Sequence, residues 1–564
     1  MKDIGKQINW YGWIYFNKTI PFISPLIIKF RQRKLRVISR GYSKIFNKEF
    51  LKNKNIKNLT VIEKEFRNKV FSEVDNYYSP IIFNNGLNFA KLICKHYFLK
   101  IIYVRKAYYP ALNNEILYFF GKNKSKIIYP LPRIYRNFLK DYGIKFNDFF
   151  SDIYWYLFIT FFYFIGLVVG LKNIFFSIFF CFIKPNLNSK KNYVYFNSLT
   201  LNCLPKDNRL NPNIINWYID DNIKTQNNYI CHNLKYSKNI YLENNIISYK
   251  KKIQYLNEFK GLIKFSFWFL KASFICLIDI FSGKWWHPLL FYESVNASMI
   301  RFQNSSNIPS KYFFNNSNFT YRPMWTYEAE KKSKIIMAFY STNLRELKLK
   351  NIENPLPHYY IKESTWPYLY VWDLYDKKYF EKNIDLKTNI EIKGYIPFEN
   401  GKKFDKEKSL KNLSVFDVQP TRDIFYKTIP EKYHDYYKFD NIINFLKVIL
   451  SLTKFDIKIY IKRKRNIGSL AHPYYRNFIK IMEKNNQIEF VDSEVSAYDM
   501  IKKSRAVISI PFTSTAHIAN KLNIPSIYFD PSGLIYDNDE ALHNIKLINN
   551  LKSLEDWIKE TFKP

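Results

Sequence analysis

The segment from Ser504 to Gly533, SRAVISIPFTSTAHIANKLNIPSIYFDPSG, constrains the chain most. It reads as a strand, a hydroxyl-rich turn, a short helix and a second strand. Ala506 to Ile510 is a short apolar run of the kind buried in a parallel sheet, and Pro511 ends it. Thr513, Ser514 and Thr515 fall where the next helix begins, so hydroxyls and unpaired backbone N–H groups meet at the mouth of the sheet. Such a turn accepts anions. Asn523 and Pro525 stop the helix near Leu522, before the strand Ser526 to Phe529. Asp530, Pro531 and Gly533 then form a second loop at the same carboxyl edge, where open α/β sheets bind ligands. Taken alone, the segment also fits an N-capped helix in any α/β domain.

The residues before it continue the same rhythm. Strand-like runs at Leu413 to Val418, Ile457 to Lys462 and Ile488 to Val491 alternate with helical stretches at about 442–452, 474–484 and 498–503. This order predicts a parallel sheet with helices on both faces. The closing SLEDWIKETF reads as a capped amphipathic helix able to pack back across the domain pair. The strand IKIYIK runs into KRKRNIGSLAHP, which puts Lys462, Arg463, Lys464 and Arg465 at a strand end and His472 just before the next helix. Guanidinium and ammonium groups there can hold phosphate, and an imidazolium can supply a proton or a hydrogen bond. A run of four basic residues is by itself an ordinary solvated surface; with the hydroxyl turn at the same edge it becomes a candidate phosphate cradle.

Upstream, Asn192 to Phe196, Ile335 to Tyr340, Tyr368 to Trp372 and Ile390 to Ile396 look like buried strands. The polar stretch GKKFDKEKSLKN marks a boundary near 400–411, and two domains follow naturally from 564 residues. FYSTN places Ser341, Thr342 and Asn343 at a strand end, either lining a cleft or capping the helix that follows. Asp373 ends one apolar run and Asp417 interrupts another, costly positions for a carboxylate unless it is paired or used. Each is a candidate general base, Asp373 ahead of Asp417, which reads as structural. Trp325, Trp366 and Trp372 can stack on a sugar, with Trp366 the cleft candidate.

Hydrophobic residues make up 47% and aromatics 19%, which excludes a disordered chain and raises the question of a membrane. Tyr154 to Leu171 carries no charge, Lys172 and Asn173 interrupt, and Ile174 to Ile183 is apolar again. Basic residues on both flanks favour a re-entrant or interfacial hairpin, with a single span or a buried core helix as rivals. Gly261 to Phe281, with Lys264 and Lys271 on one face, suits an interfacial helix or a core helix with snorkelling lysines. The net charge of +39 points to anionic partners. Its spread along the chain, with no zinc-finger or RNA-recognition signature, favours a membrane surface over nucleic acid. The five cysteines are too scattered for a disulfide framework or a zinc site. A reducing cytoplasmic compartment is the default, as no cleavable leader is evident at the N-terminus. With 14 glycines there is no Gly-rich phosphate loop, and no acidic D-x-D cluster lies near the proposed site, so no metal or other cofactor is expected.

The run IPFTSTAHIANKLNIPSIYFDPSG resembles the signature of the bacterial polysaccharide biosynthesis PFTS motif proteins. YRPMWTYEAE, FYSTN, WPYLYVWD and VFDVQPTR resemble the same family, and together these segments cover the last 260 residues or so. More distantly, the HP pair and the Ser/Thr pair are similar to motifs of bacterial sialyltransferases, although here HP follows KRKR instead of ending the strand. The resemblance implies a glycosyltransferase of GT-B architecture, a pair of Rossmann-like α/β domains, with membrane-associated helices inserted in the N-terminal half. It also implies a donor nucleotide on the C-terminal domain, with His472 as the HP histidine and Ser514 and Thr515 as the phosphate pair. The expected layout is a helical extension over 1–90, an acceptor-side domain over 91–405 with apolar segments at 153–183 and 261–286, and a donor-side domain over 406–564. The expected partners are a nucleotide-sugar donor, CMP-linked sugars included, a glycan or glycolipid acceptor, and the cytoplasmic face of the inner membrane. Rivals are a transferase using a CDP-activated glycerol-phosphate-type donor and a non-catalytic scaffold of a polysaccharide-assembly complex.

Overall fold

The computed structural model describes residues 146–183, 193–205, 212–221, 229–242, 245–316, 322–341, 350, 365–384, 388–399, 401–420, 436–463 and 471–563, with 133, 136, 137 and 140. The expected extension over 1–90 lies outside them.

The C-terminal half builds one parallel sheet from β9 (Asn412–Asp417), β10 (Lys458–Arg463), β11 (Ile488–Val491), β12 (Ala506–Ser509), β13 (Ser526–Phe529) and β14 (Lys546–Ile548). Its order is β11-β10-β9-β12-β13-β14, the doubly wound arrangement in which the chain reverses direction between the first and fourth strands. Side-chain alternation divides the strands cleanly. Leu413, Val415, Ile459, Ile461 and Ile508 face a core closed by Ile442 of α7 (Phe439–Ser451), Tyr475 of α8 (Pro473–Met482) and Leu554 of α11 (Leu551–Thr561). Phe416, Tyr460 and Val507 face the other way, toward α9 (Ala497–Lys502) and α10 (Ser514–Lys521). The tail helix therefore packs into its own domain instead of across the pair: Leu554, Trp557 and Ile558 enter that domain's core, and the cap is Asn550, whose side chain accepts from Ser553 N.

The N-terminal sheet has the order β3-β4-β2-β1-β5-β6-β7-β8. Its strands are β1 (Tyr193–Phe196), β2 (Tyr229–His232), β3 (Ile240–Leu242), β4 (Asn245–Tyr249), β5 (Lys311–Asn315), β6 (Lys334–Ala338), β7 (Tyr368–Val371) and β8 (Asn389–Ile392). Among the described strands of this sheet only the β3–β4 pairing is antiparallel, so the remaining ones aim their carboxyl ends at one edge. The expected strands at Asn192 to Phe196 and Tyr368 to Trp372 are β1 and β7. The fold is thus a GT-B-like pair of Rossmann-type sheets. One apolar core runs between them, joining Phe196, Phe313 and Trp372 to Phe416, Val507 and Ile518. Close backbone contact ties the linking strand down: Lys402 N donates to Glu494 O (2.7 Å) and Ser496 N to Lys402 O (2.8 Å). Gly401 lies against the backbone of Ser496 and leaves no space for a Cβ.

Beside the N-terminal sheet lie α1 (Asp148–Ile183), α3 (Phe259–Phe281) and α4 (Trp286–Phe302), while α2 (Ile214–Asp221) packs below β1. The expected hairpin at 154–183 is corrected. The segment is one continuous helix of 36 residues, about 54 Å long. Lys172 and Asn173 do not break it because both are tolerated within a helix, and no Pro or turn-forming pair is present to reverse the chain. Gly166 and Gly170 let α1 approach the rings of Phe291 and Phe269 closely. The opposite face of α1 exposes Leu157, Phe164, Val168, Leu171, Phe175 and Phe182, and α3 exposes Ile263, Phe267, Leu270 and Phe274. The spacing of three and four makes each set a single stripe. By length and composition both helices can cross a membrane.

Candidate active site at the facing sheet edges

The carboxyl edge of β12 carries the turn singled out in the sequence. Phe512 sits at φ 64°, a left-handed backbone that a bulky residue rarely adopts, and it swings the chain from strand into α10. Neighbouring tyrosines pin the turn: Tyr437 Oη donates to Pro511 O (3.1 Å) and Tyr528 Oη to Thr513 O (2.8 Å). Thr513 takes the N-cap position but does not cap with its side chain; its hydroxyl donates back to Ile510 O at 2.9 Å. The first-turn N–H groups of α10 are therefore not met by that side chain. Thr515 Oγ1 lies 2.8 Å from Ser509 Oγ, and Ser514 Oγ lies 3.4 Å from Ser341 Oγ of the facing sheet. This last contact brings the predicted Ser341 and Ser514 together. Thr342 and Asn343 lie outside the described residues.

The basic strand end divides. Lys462 is engaged inside the protein: it is buried and its ammonium donates to Ser493 O at 2.9 Å, on the face of the sheet it shares with Tyr460. Burial also lowers its pKa. Arg463, one residue on and therefore on the other face, lies over the Phe490 ring at 5.4 Å. Lys464 and Arg465 lie outside the described residues. His472 precedes Pro473 at the start of α8, as its sequence position suggests. Its ring stacks on Phe439 (4.2 Å between centroids) and its backbone N–H donates to Pro420 O at 3.0 Å, after β9. Trp366 is corrected as a cleft residue. It precedes β7, at the amino edge of the sheet, and is buried against Phe314 (4.9 Å). A residue entering a parallel strand lies opposite the binding edge.

Asp373 follows β7 and does reach the facing domain. It caps α6 (Leu374–Asn383), its Oδ1 accepting from Asp376 N at 2.9 Å. Its Oδ2 contacts His543 Nδ1 and lies 3.4 Å from His517 Nε2. Burial would raise this carboxyl, but the hydrogen bond and charge of His543, the Asp376 N–H and His517 hold it at about 2. A carboxyl so strongly held is a poor proton acceptor near neutral pH. Neither histidine stood out in the sequence. The signal available was the position of His517, on the first turn of α10 directly after TST; His543 follows a short 3-10 turn and carries none.

Asp417 ends β9 beside the reversal point of the C-terminal sheet. It is buried, and its Oδ2 accepts from Tyr475 Oη at 2.5 Å. Burial pushes its carboxyl up to about 6, against the Tyr475 hydrogen bond and the Arg463 and Lys462 charges. A folded pKa raised above the unfolded value near 3.9 adds stability that is complete below about pH 4 and fades as pH rises through 6. Asp417→Asn, which mimics the neutral acid, is expected to remove that slope and to raise stability at pH 8 by about 3 kcal/mol. Melting curves at pH 4, 6 and 8 check this; a variant with the wild-type slope contradicts it.

Two doubly wound sheets with their carboxyl edges in contact, and a strand–turn–helix suited to an anion on one of them, define a two-domain α/β protein of GT-B-like architecture. Within that class the chain belongs to the polysaccharide biosynthesis PFTS motif protein family, whose family model matches residues 268–558. Among solved structures it is similar to TarM at 12% identity and a TM-score of 0.28, covering 48% of this chain and 51% of that one. The chain thus spans about half the length of TarM. It is also similar to the wall teichoic acid polymerase TagF (12% identity, TM-score 0.34, 70% and 88% covered). A third is the α,α-trehalose 6-phosphate synthase of Burkholderia multivorans (8%, 0.34, 66% and 91%). No curated protein matches the chain.

Proposed function

We propose that the protein is a glycosyltransferase that moves a sugar from a nucleotide-sugar donor to a glycan or glycolipid acceptor at a membrane surface. One observation carries the reading: the strained turn that starts α10 at the reversal point of the C-terminal sheet, with Ser514 3.4 Å from Ser341 of the facing sheet. The donor's phosphates take the first-turn N–H groups of α10, with the hydroxyls of Ser514 and Thr515 beside them. The acceptor hydroxyl oxygen then forms its bond to the anomeric carbon as the bond to phosphate breaks, its proton passing to the departing phosphate or to water, and the helix start stabilises the charge left on the departing nucleotide. Leaving-group stabilisation of this kind runs through protein groups alone. His472, held at the start of α8, positions the loop after β9. Asp373 holds the two edges together instead of taking the acceptor proton. The exposed stripes of α1 and α3 seat the enzyme on the cytoplasmic face of the inner membrane.

Detergent-solubilised full-length protein, given UDP-, GDP-, CDP- and CMP-sugars with a lipid extract, is expected to release nucleotide from one donor class. Release from none of them contradicts the proposal, and CMP release from CDP-glycerol alone reassigns the transferred group.

A further inference from the structure

We propose that Asp373, His517 and His543 form a binding site for a divalent transition metal, of the zinc or manganese type, that clasps the two sheet edges together. The three ligand atoms, Asp373 Oδ2, His517 Nε2 and His543 Nδ1, all lie within 4.8 Å of one another. They come from three separate elements: the end of β7, the first turn of α10, and the turn before β14. One carboxylate and two imidazoles are a donor set that suits zinc and its neighbours.

The spacing supports an ion. Ligands at about 2.0–2.1 Å around a tetrahedral centre stand about 3.4 Å apart. Asp373 Oδ2 and His517 Nε2 already stand 3.4 Å apart, whereas Asp373 Oδ2 and His543 Nδ1 are in hydrogen-bond contact and part to admit the ion. The imidazole rings of His517 and His543 are 4.6 Å apart, and both residues are buried.

Each ligand is also held in place from behind. Asp373 commits Oδ1 to its helix cap, which leaves Oδ2 for the histidines. The His517 ring stacks on Trp372 at 5.1 Å, and Trp372 Nε1 is itself anchored to Phe339 O at 2.7 Å. His543 and Asn544 are consecutive left-handed residues, at φ 51° and 61°. This left-handed backbone before β14 carries His543 to its contact with Asp373. Support of this kind around the ligands is what a metal site needs.

The test uses full-length untagged protein, stripped with EDTA, dialysed against zinc or manganese chloride, gel-filtered, and assayed for metal by mass spectrometry. One ion per chain is expected for the wild type. His517→Asn with His543→Asn is expected to weaken binding by at least about 100-fold. Asp373→Asn is the second variant, since Asn preserves the helix cap and removes only the charged ligand. Cobalt loading adds a direct readout: visible absorption of a four- or five-coordinate ion in the wild type, lost in both variants. A wild type that stays metal-free, or folded variants that bind metal as tightly as it does, overturns the assignment. None of these readouts needs a sugar donor, so their failure leaves the transferase proposal standing, and an inactive transferase leaves the metal site standing.

Discussion

Ser514→Ala combined with Thr515→Val is expected to lower nucleotide-sugar turnover by about 100-fold or more, the cost of removing donors aimed at developing charge. The reasoning is local. The helix start does not rely on a side-chain cap, because the Thr513 hydroxyl is committed to Ile510 O. Removing the next two hydroxyls therefore takes donors from the proposed phosphate site without deleting a cap. Valine keeps the volume of threonine but breaks the 2.8 Å contact between Thr515 and the buried Ser509 hydroxyl, at a cost of about 1 kcal/mol. Melting temperature should thus fall by only a few degrees. Donor titration and thermal melting on one preparation separate the effects: turnover within threefold of wild type would place the donor phosphates elsewhere. Ser341→Ala, on the facing edge, provides the comparison, with a smaller loss since it leaves the helix start intact.

The C-terminal sheet was legible in the sequence because buried parallel strands are short apolar runs punctuated by Pro, Asn and Gly. The expected strands at Ile488 to Val491 and Ser526 to Phe529 coincide with β11 and β13. The turn at Thr513 was legible for the same reason, although not the direction of its hydroxyl. What the sequence hid is set by tertiary partners. Lys462 reads as one of four equivalent cations, and only the position of the Ser493 carbonyl shows it to be engaged. Trp366 and Trp372 lie in one motif, yet the strand between them carries one to the amino edge and the other to the facing domain. His517 and His543 are 26 residues apart and meet Asp373 only once both sheets are in place. No local period encodes such a meeting. The 36-residue helix was misjudged for a related reason: one lysine and one asparagine resemble a break in hydropathy, while helix geometry needs a change in backbone preference to stop.

Leu157→Glu, Phe164→Glu, Leu171→Glu and Phe175→Glu together are expected to move the protein from the membrane fraction to the soluble one. These side chains are 54%, 55%, 59% and 68% exposed, so the substitutions remove little internal packing. Burying such a side chain in lipid is worth about 1.5–3 kcal/mol, so four of them contribute about 6–12 kcal/mol before the cost of placing carboxylates in the bilayer is added. That loss exceeds what a peripheral attachment can absorb. The net charge of +39 is the competing source of attachment, through anionic headgroups, and salt distinguishes the two because it screens exposed charges over a few ångströms at about 1 M. Wild-type protein held by the apolar stripes stays with membranes in high salt, and the quadruple variant leaves them. A wild type released by salt alone would assign attachment to charge. A quadruple variant that remains bound in high salt would transfer the role to the stripe on α3, where Ile263, Phe267, Leu270 and Phe274 present the same apolar spacing.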